Sequence, residues 1–232
     1  MLDRTIPSPG KVNDRISEFV RDTGRDFHEW DPFTSWNIKP TQQIPVLLET
    51  LSEDGKVQRR SAAARWSLVP PWATDLKQRF PTFNARSEGL AEKRTWRGPL
   101  KSSRALIPAA GYYEWHTAED GTKTPHWIHL EQPLDFAGLY SWWKPKGDET
   151  ADWLLTATIL TRPSTGPVAE LHDRAPLILP DEAQPDWLDP GTEGTQTLVD
   201  AMVDASDSLT EQLAFHPVRP LRGDGPELIE PA

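Results

Sequence analysis

RALIPAAGYYEW, residues 104–115, is crowded with branched and aromatic side chains, which suit a pleated, half-buried surface better than a helix. Pro108 and Gly111 punctuate it, so it reads as two short strands, 104–108 and 112–116. Moving outward, the same signature returns at 126–130, 136–142, 153–160 and 176–179, each time bounded by Gly, Pro or Asp. Helical spacing shows in Val12, Ile16, Phe19 and Val20 within 11–22, and helix signals also mark 181–188 and 195–213. Helix-length segments do not alternate with the strands, which argues against a parallel βαβ fold. The expected class is α+β, a mainly antiparallel, curved, barrel-like sheet with flanking helices. At 232 residues the chain fits a single domain, 1–232, with surface loops at 144–150 and 189–196.

Composition narrows the chemistry. The chain has no cysteine, which removes disulfides, thiolate metal sites and thiol nucleophiles together. No metal or cofactor is expected. No apolar run approaches the roughly 20 residues of a membrane helix and no secretory h-region opens the chain, so a soluble, cytoplasmic monomer is expected. The net charge is −10, yet residues 56–104 carry 12 Lys and Arg against Asp75, Glu88 and Glu92, a local balance of +9. Two readings fit: solvated faces of ordinary strands and helices, or one basic groove on an acidic body.

Eleven tryptophans are far more than a chain of this length needs, and most must be core. Trp72 follows Pro70-Pro71 on a stiff loop and is either core or a platform on which bases stack. Three polar residues stand in apolar company: Asn84 in PTFNARSE, Glu114 in AAGYYEWH and His172 in VAELHDRAPLILP. Alternation turns Glu114 away from Tyr113 and Trp115. If buried, it is a proton donor and acceptor with a raised pKa, or a structural carboxylate neutralised by an arginine. His172 is a catalytic histidine or a structural one held by Asp173.

In order, WSLVPPWA (66–73), FNARSE (83–88), RALIPAAGYYEW (104–115), PLDFAGLYSWW (133–143), ILTRPSTGPVAELHDRAPLILP (159–180) and GPELIEP (225–231) resemble the SOS response-associated peptidase family. That family includes bacterial and vertebrate abasic-site processing proteins. The resemblance runs from Trp36 to the C-terminus and implies a positively charged channel for single-stranded DNA. It also implies an N-terminal cysteine that forms an imine with the opened abasic sugar and closes a thiazolidine, giving a DNA–protein cross-link. Carried over, Asn84 positions the N-terminus or the deoxyribose, Glu114 shuttles protons, and His172 orients and protonates the sugar oxygen. Arg86 and Arg174 contact phosphates or brace the site. Arg4, Asn37, Pro40 and Trp72 complete the expected DNA-binding set.

The chain departs from the family where the chemistry begins. Members open Met-Cys-Gly-Arg, whereas this chain opens Met1-Leu2-Asp3-Arg4, so Leu2 stands at the nucleophile position. Met1 should stay, because initiator removal needs a small second residue. Ser67 replaces a usual Gly, Lys39 replaces the Ala of an Asn-x-Ala-Pro turn, and the loop at 218–223 is short. Enzymatic activity is thereby left open. The readings are a divergent paralogue that binds DNA non-covalently or through a reversible imine, a gene start placed too far downstream, and autocatalytic removal of an N-terminal residue. A sugar-binding or sugar-hydrolysing protein is the reading outside the family.

Overall fold

The structure is a computed structural model that describes residues 4–6, 9–21, 28–29 and 35–232, with side chains at 11–20 and from 35 onward. The N-terminal strand β1 (Arg4–Ile6) and helix α1 (Pro9–Arg21) precede a short β2 (His28–Glu29). A hairpin follows, β3 (Gln43–Leu51) and β4 (Val57–Trp66), then β5 (Asn84–Arg86) and α2 (Arg97–Ser102). The long strands β6 (Arg104–Thr117), β7 (Lys123–Trp143) and β8 (Leu154–Pro163) form the centre, with β9 (Arg174–Pro176) beside them. Helices α3 (Gln184–Leu188), α4 (Gln196–Ala205) and α5 (Asp207–Thr210) lead to β10 (Ala214–Pro217).

Strand β6 pairs with β7, β7 with β8, β8 with β4, β4 with β3, and β3 returns to β6 through Leu47 and Leu106. The sheet thus curls back on itself, although the closing contacts are too few for a clean barrel. Most pairings are antiparallel, as expected, but β2–β4, β4–β8 and β5–β8 are parallel, so the sheet is mixed. Side chains inside the curl, among them Ile44, Trp66, Ile107, Tyr112, Phe136 and Ile159, form one core. A second core lies outside it, where Val12, Ile16, Phe19 and Val20 of α1 join Leu47, Leu106, Leu160 and Trp187. The helical spacing of those α1 residues is therefore explained by burial on one face.

The structure corrects three of the expected strand assignments. The strands expected at 104–108 and 112–116 are one strand, because Gly111 marks a close approach and not a turn: a Cβ there would lie 2.3 Å from the Ile128 carbonyl oxygen and from the Trp127 ring. Likewise 126–130 and 136–142 are both parts of β7. The strand expected at 176–179 is displaced to 174–176, with Ile178 left only a bridge to Phe136.

The register of β6 on β7 breaks between Ala109 and Gly111. Before this bulge the odd residues Ala105, Ile107 and Ala109 face the inner core, and after it the even residue Tyr112 does. Ala110 is left unpaired opposite residues 130–133 of β7, and the parity of β6 reverses across this irregularity. Glu114, two residues beyond Tyr112, therefore shares the inner, concave side.

Candidate functional site

Glu114 is 4 % exposed on β6, opposite His126 of β7. Burial, and then the Glu114 carboxylate, push the Tyr112 phenol well above its ordinary range, which places the two side chains as neighbours on one face. The β1 strand lies alongside, with Arg4 beside Tyr113, so toward its N-terminal end it runs in the direction of Glu114. Leu2 and the side chain of Arg4 lie outside the described residues.

Asn84 and Arg86 on β5 alternate with buried Ala85 and, just beyond the strand, buried Ser87. Asn84 is level with Ile159 of β8, an inner-core residue, so the register puts Asn84 on the concave side as well. Arg86 is level with Thr161 and is exposed. On the opposite edge of β8, Thr161 pairs with Pro176 and Pro163 with Arg174. Strands β5 and β9 thus flank the end of β8, about 10 Å apart at two strand spacings.

Arg174 bridges that gap. Its Nη1 and Nη2 donate to Glu88 Oε1 and Oε2 at 2.5 and 2.9 Å, and Nη2 also donates to the Thr161 carbonyl at 2.7 Å. This forked pairing is the strong form of an arginine–carboxylate contact, and it holds the Glu88 carboxyl down at about 2. Arg174 is accordingly a brace, one of the two roles expected of it. Glu88 was not anticipated as its partner; FNARSE contains the residue, but nothing in the sequence ties it to a position 86 residues away.

The brace acts on His172. The backbone N–H of Arg174 donates to His172 Nδ1 at 2.9 Å, while Asp173 Oδ1 lies 3.0 Å from the same nitrogen on an 85 % exposed side chain. With the Arg174 carbonyl oxygen also 3.3 Å away, Nδ1 meets one donor and two acceptors, and these contacts hold the ring in place without choosing its tautomer. Burial lowers the His172 pKa, which favours the neutral ring.

The other expected residues are distributed differently. Asn37 is buried and its Nδ2 donates to the Gly223 carbonyl at 2.9 Å, tying the start of the sheet to the loop at 218–223. Pro40 opens a turn in which Thr41 adopts φ +78°, rare for a branched residue. Trp72 is 43 % exposed, which excludes the core reading for it. Arg94 stands over its ring at 4.4 Å.

The cations of 56–104 do not act as one surface. Arg104 is 3 % exposed and donates to the carbonyls of Trp187, Leu100, Lys101, Asp189 and Thr192, where it stitches α2 and α3 together. Arg59 pairs with Glu49, Lys56 with Asp54 and Lys101 with Glu193. Lys77, Arg79, Arg86, Arg94 and Arg97 are exposed. Among the described residues no cluster of His, Asp and Glu has the geometry of a metal site, and no helix is long and apolar enough to cross a membrane.

A curled mixed sheet with flanking helices, Asn84 and Glu114 on its concave side by register and His172 next to β9, defines an α+β protein. The family model for SOS response associated peptidase (SRAP) matches residues 9–222, and the chain belongs to that family. It is 37 % identical over 225 residues, 95 % of each chain, to the abasic site processing protein YoqW of Bacillus subtilis. It is 33 % identical over 230 residues to the abasic site processing protein HMCES of Gallus gallus, covering 85 % of this chain and 66 % of that one. The fold matches a crystal structure of a protein from Bacteroides thetaiotaomicron with a TM-score of 0.74 over 98 % of both chains, at 20 % identity.

Proposed function

We propose that this chain recognises abasic sites in single-stranded DNA, with Asn84, Glu114 and His172 gathered around the opened deoxyribose and with Arg86 and Trp72 along the strand that carries it. The relatives named above are abasic site processing proteins. The observation that carries the reading is the His172 brace, because the Glu88–Arg174 fork and the Arg174 backbone hold that ring at the end of β8, whose other edge pairs with the strand bearing Asn84 and the exposed Arg86. An abasic sugar offers oxygens, an aldehyde and a 5′ phosphate, and those call for a neutral donor, a proton shuttle and a cation.

Glu114 supplies the shuttle. Imine formation between an amine and the aldehyde expels water, which requires a proton delivered to the departing oxygen and another taken from nitrogen. The 232-residue chain contains no thiol to trap that imine as a thiazolidine. Recognition is therefore non-covalent or passes through an imine that hydrolyses again.

Gel-shift titration of a 15-nucleotide single strand, with and without one central abasic site, tests the reading. Tighter binding of the abasic strand is expected, with affinity falling steeply as salt rises because each phosphate contact releases counterions. Arg86→Ala should weaken both strands alike and reduce the salt slope by about one. Equal affinity for the two strands and indifference to salt would sink the proposal, and glycan binding without DNA binding would favour the sugar-binding alternative.

A further inference from the structure

Most of the described tryptophans are buried or half-buried, as their size demands. Three are not: Trp72 is 43 % exposed, Trp142 42 % and Trp153 59 %. All three line one cleft of about 680 Å³, between Pro71, the segment from Arg94 to Pro99 and the end of β7. Unrelated surface tryptophans have no reason to gather, and an exposed apolar cluster of this kind marks a binding surface. Its volume lies within the roughly 300–1,000 Å³ of sites that hold small molecules.

The walls are fixed. Trp143, next to Trp142, is buried against Val69 and Ala73 and donates from Nε1 to the Ala73 carbonyl at 2.9 Å. Alternation along β7 turns Trp142 outward, into the cleft. Trp153 immediately precedes β8, where Leu154 pairs with Trp143. Arg94 lies 4.4 Å over the Trp72 ring, and the Lys144 ammonium 5.3 Å over the Trp153 ring.

Charge selects the occupant. Among the described residues, the charged side chains lining the cleft are Arg94 and Arg97, with no carboxylate. A cleft of indole walls with a purely cationic rim complements a ligand that is flat and aromatic in its body and anionic along its backbone. The geometry points to a second stacking subsite, in which Trp142 and Trp153 hold unpaired bases of the same single strand at a distance from the abasic sugar, while Arg97 and Lys144 face its phosphates. This rests on the single-strand reading above and extends it to intact nucleotides beyond the lesion. Stacking on these walls reads no base identity, since every base has a π-face.

Two abasic oligonucleotides separate the subsite from the lesion site: a 5-mer, too short to span both, and a 20-mer with the abasic site at its centre. Affinities are measured by fluorescence anisotropy for the native chain, Trp142→Ala, Trp153→Ala and the corresponding Phe variants. Each Ala variant should weaken the 20-mer by about tenfold, within the usual range for loss of one stacked base, and leave the 5-mer unchanged. The Phe variants should retain most of the affinity. Both positions are exposed, so folding should survive, and circular dichroism checks it.

If the native chain binds the 20-mer and the Ala variants bind it equally well, the subsite is overturned while the lesion reading stands. If the native chain binds neither oligonucleotide, both fail. Equal losses on the 5-mer and the 20-mer would place these tryptophans in the lesion site and overturn a separate subsite. A proline-rich decapeptide that binds the native chain more tightly than the 20-mer would overturn the nucleic-acid assignment.

Discussion

Glu88 and Arg174 meet across the end of β8, and the consequence falls on a third residue that neither was expected to control. The fork holds the Arg174 side chain against the end of β8, and the Arg174 N–H donates to His172 Nδ1. Glu88→Gln should therefore loosen the His172 ring, visible as a change in ring 15N shifts, and weaken abasic-strand binding while the affinity for an intact strand holds. Unchanged ring shifts would show that the fork braces nothing. The same pair has a pH signature. Glu88 is held at about 2 from an ordinary 4.5, so its contribution is complete above pH 4.5 and is lost as the pH falls toward 2. Glu88→Gln should accordingly lie below the native chain in stability at pH 6 and converge with it near pH 2. At Thr41, φ +78° places a branched side chain where glycine costs less. Thr41→Gly should gain up to about 1 kcal/mol after the entropy cost of glycine, seen as a rise in Tm of roughly 2–4 °C.

Helix α1 is held to the sheet by more than its apolar stripe. Arg15 Nε donates to Asp135 Oδ2 at 2.9 Å, and Gln184 Nε2 reaches the same oxygen at 3.1 Å, so α1, β7 and α3 share one buried polar knot. Asp135 is 5 % exposed, and burial raises its pKa despite the arginine. Truncation to Arg15→Ala leaves that carboxyl without its cation and should cost about 3–5 kcal/mol in urea unfolding at pH 7.5. A raised carboxylate is tolerated when protonated, so its stability contribution is present below the unfolded pKa and lost as the pH rises through the folded one. The gap between variant and native chain should thus widen from pH 4 to pH 7.5. A gap that narrows would mean that Arg15 acts through its aliphatic stem and not its charge.

At the scale of the whole molecule, the 232 residues contain no cysteine. Incubated with single-stranded abasic DNA, the 232-residue protein should form no heat-stable adduct, while borohydride traps a minor imine; denaturing gels read both. Leu2→Cys combined with Asp3→Gly gives the family's opening, Met-Cys-Gly-Arg, and should create a stable adduct. Adding Glu114→Ala should then slow adduct formation by roughly 10²-fold, the scale of a lost general acid–base. A stable adduct from the native chain would mean that another nucleophile has taken over. No gain from the double change would mean that the site no longer performs the reaction.

Read alone, the sequence determined the α+β class, the helical face of α1, the strand character of 104–116 and the family. These depend on local periodicity and composition, which neighbouring residues express without help from the rest of the chain. It also placed Glu114 opposite Tyr113 and Trp115, which β6 preserves. Which side of the sheet that meant was decided by the irregularity at Ala110, because the parity of β6 reverses across it and only the pairing with β7 shows the break. The pairing of Glu88 with Arg174, the burial of Arg104 and the meeting of Trp72, Trp142 and Trp153 were likewise tertiary decisions. Each joins positions far apart in the chain. Charge and aromaticity are written in the sequence, but their partners are chosen by how the sheet curls.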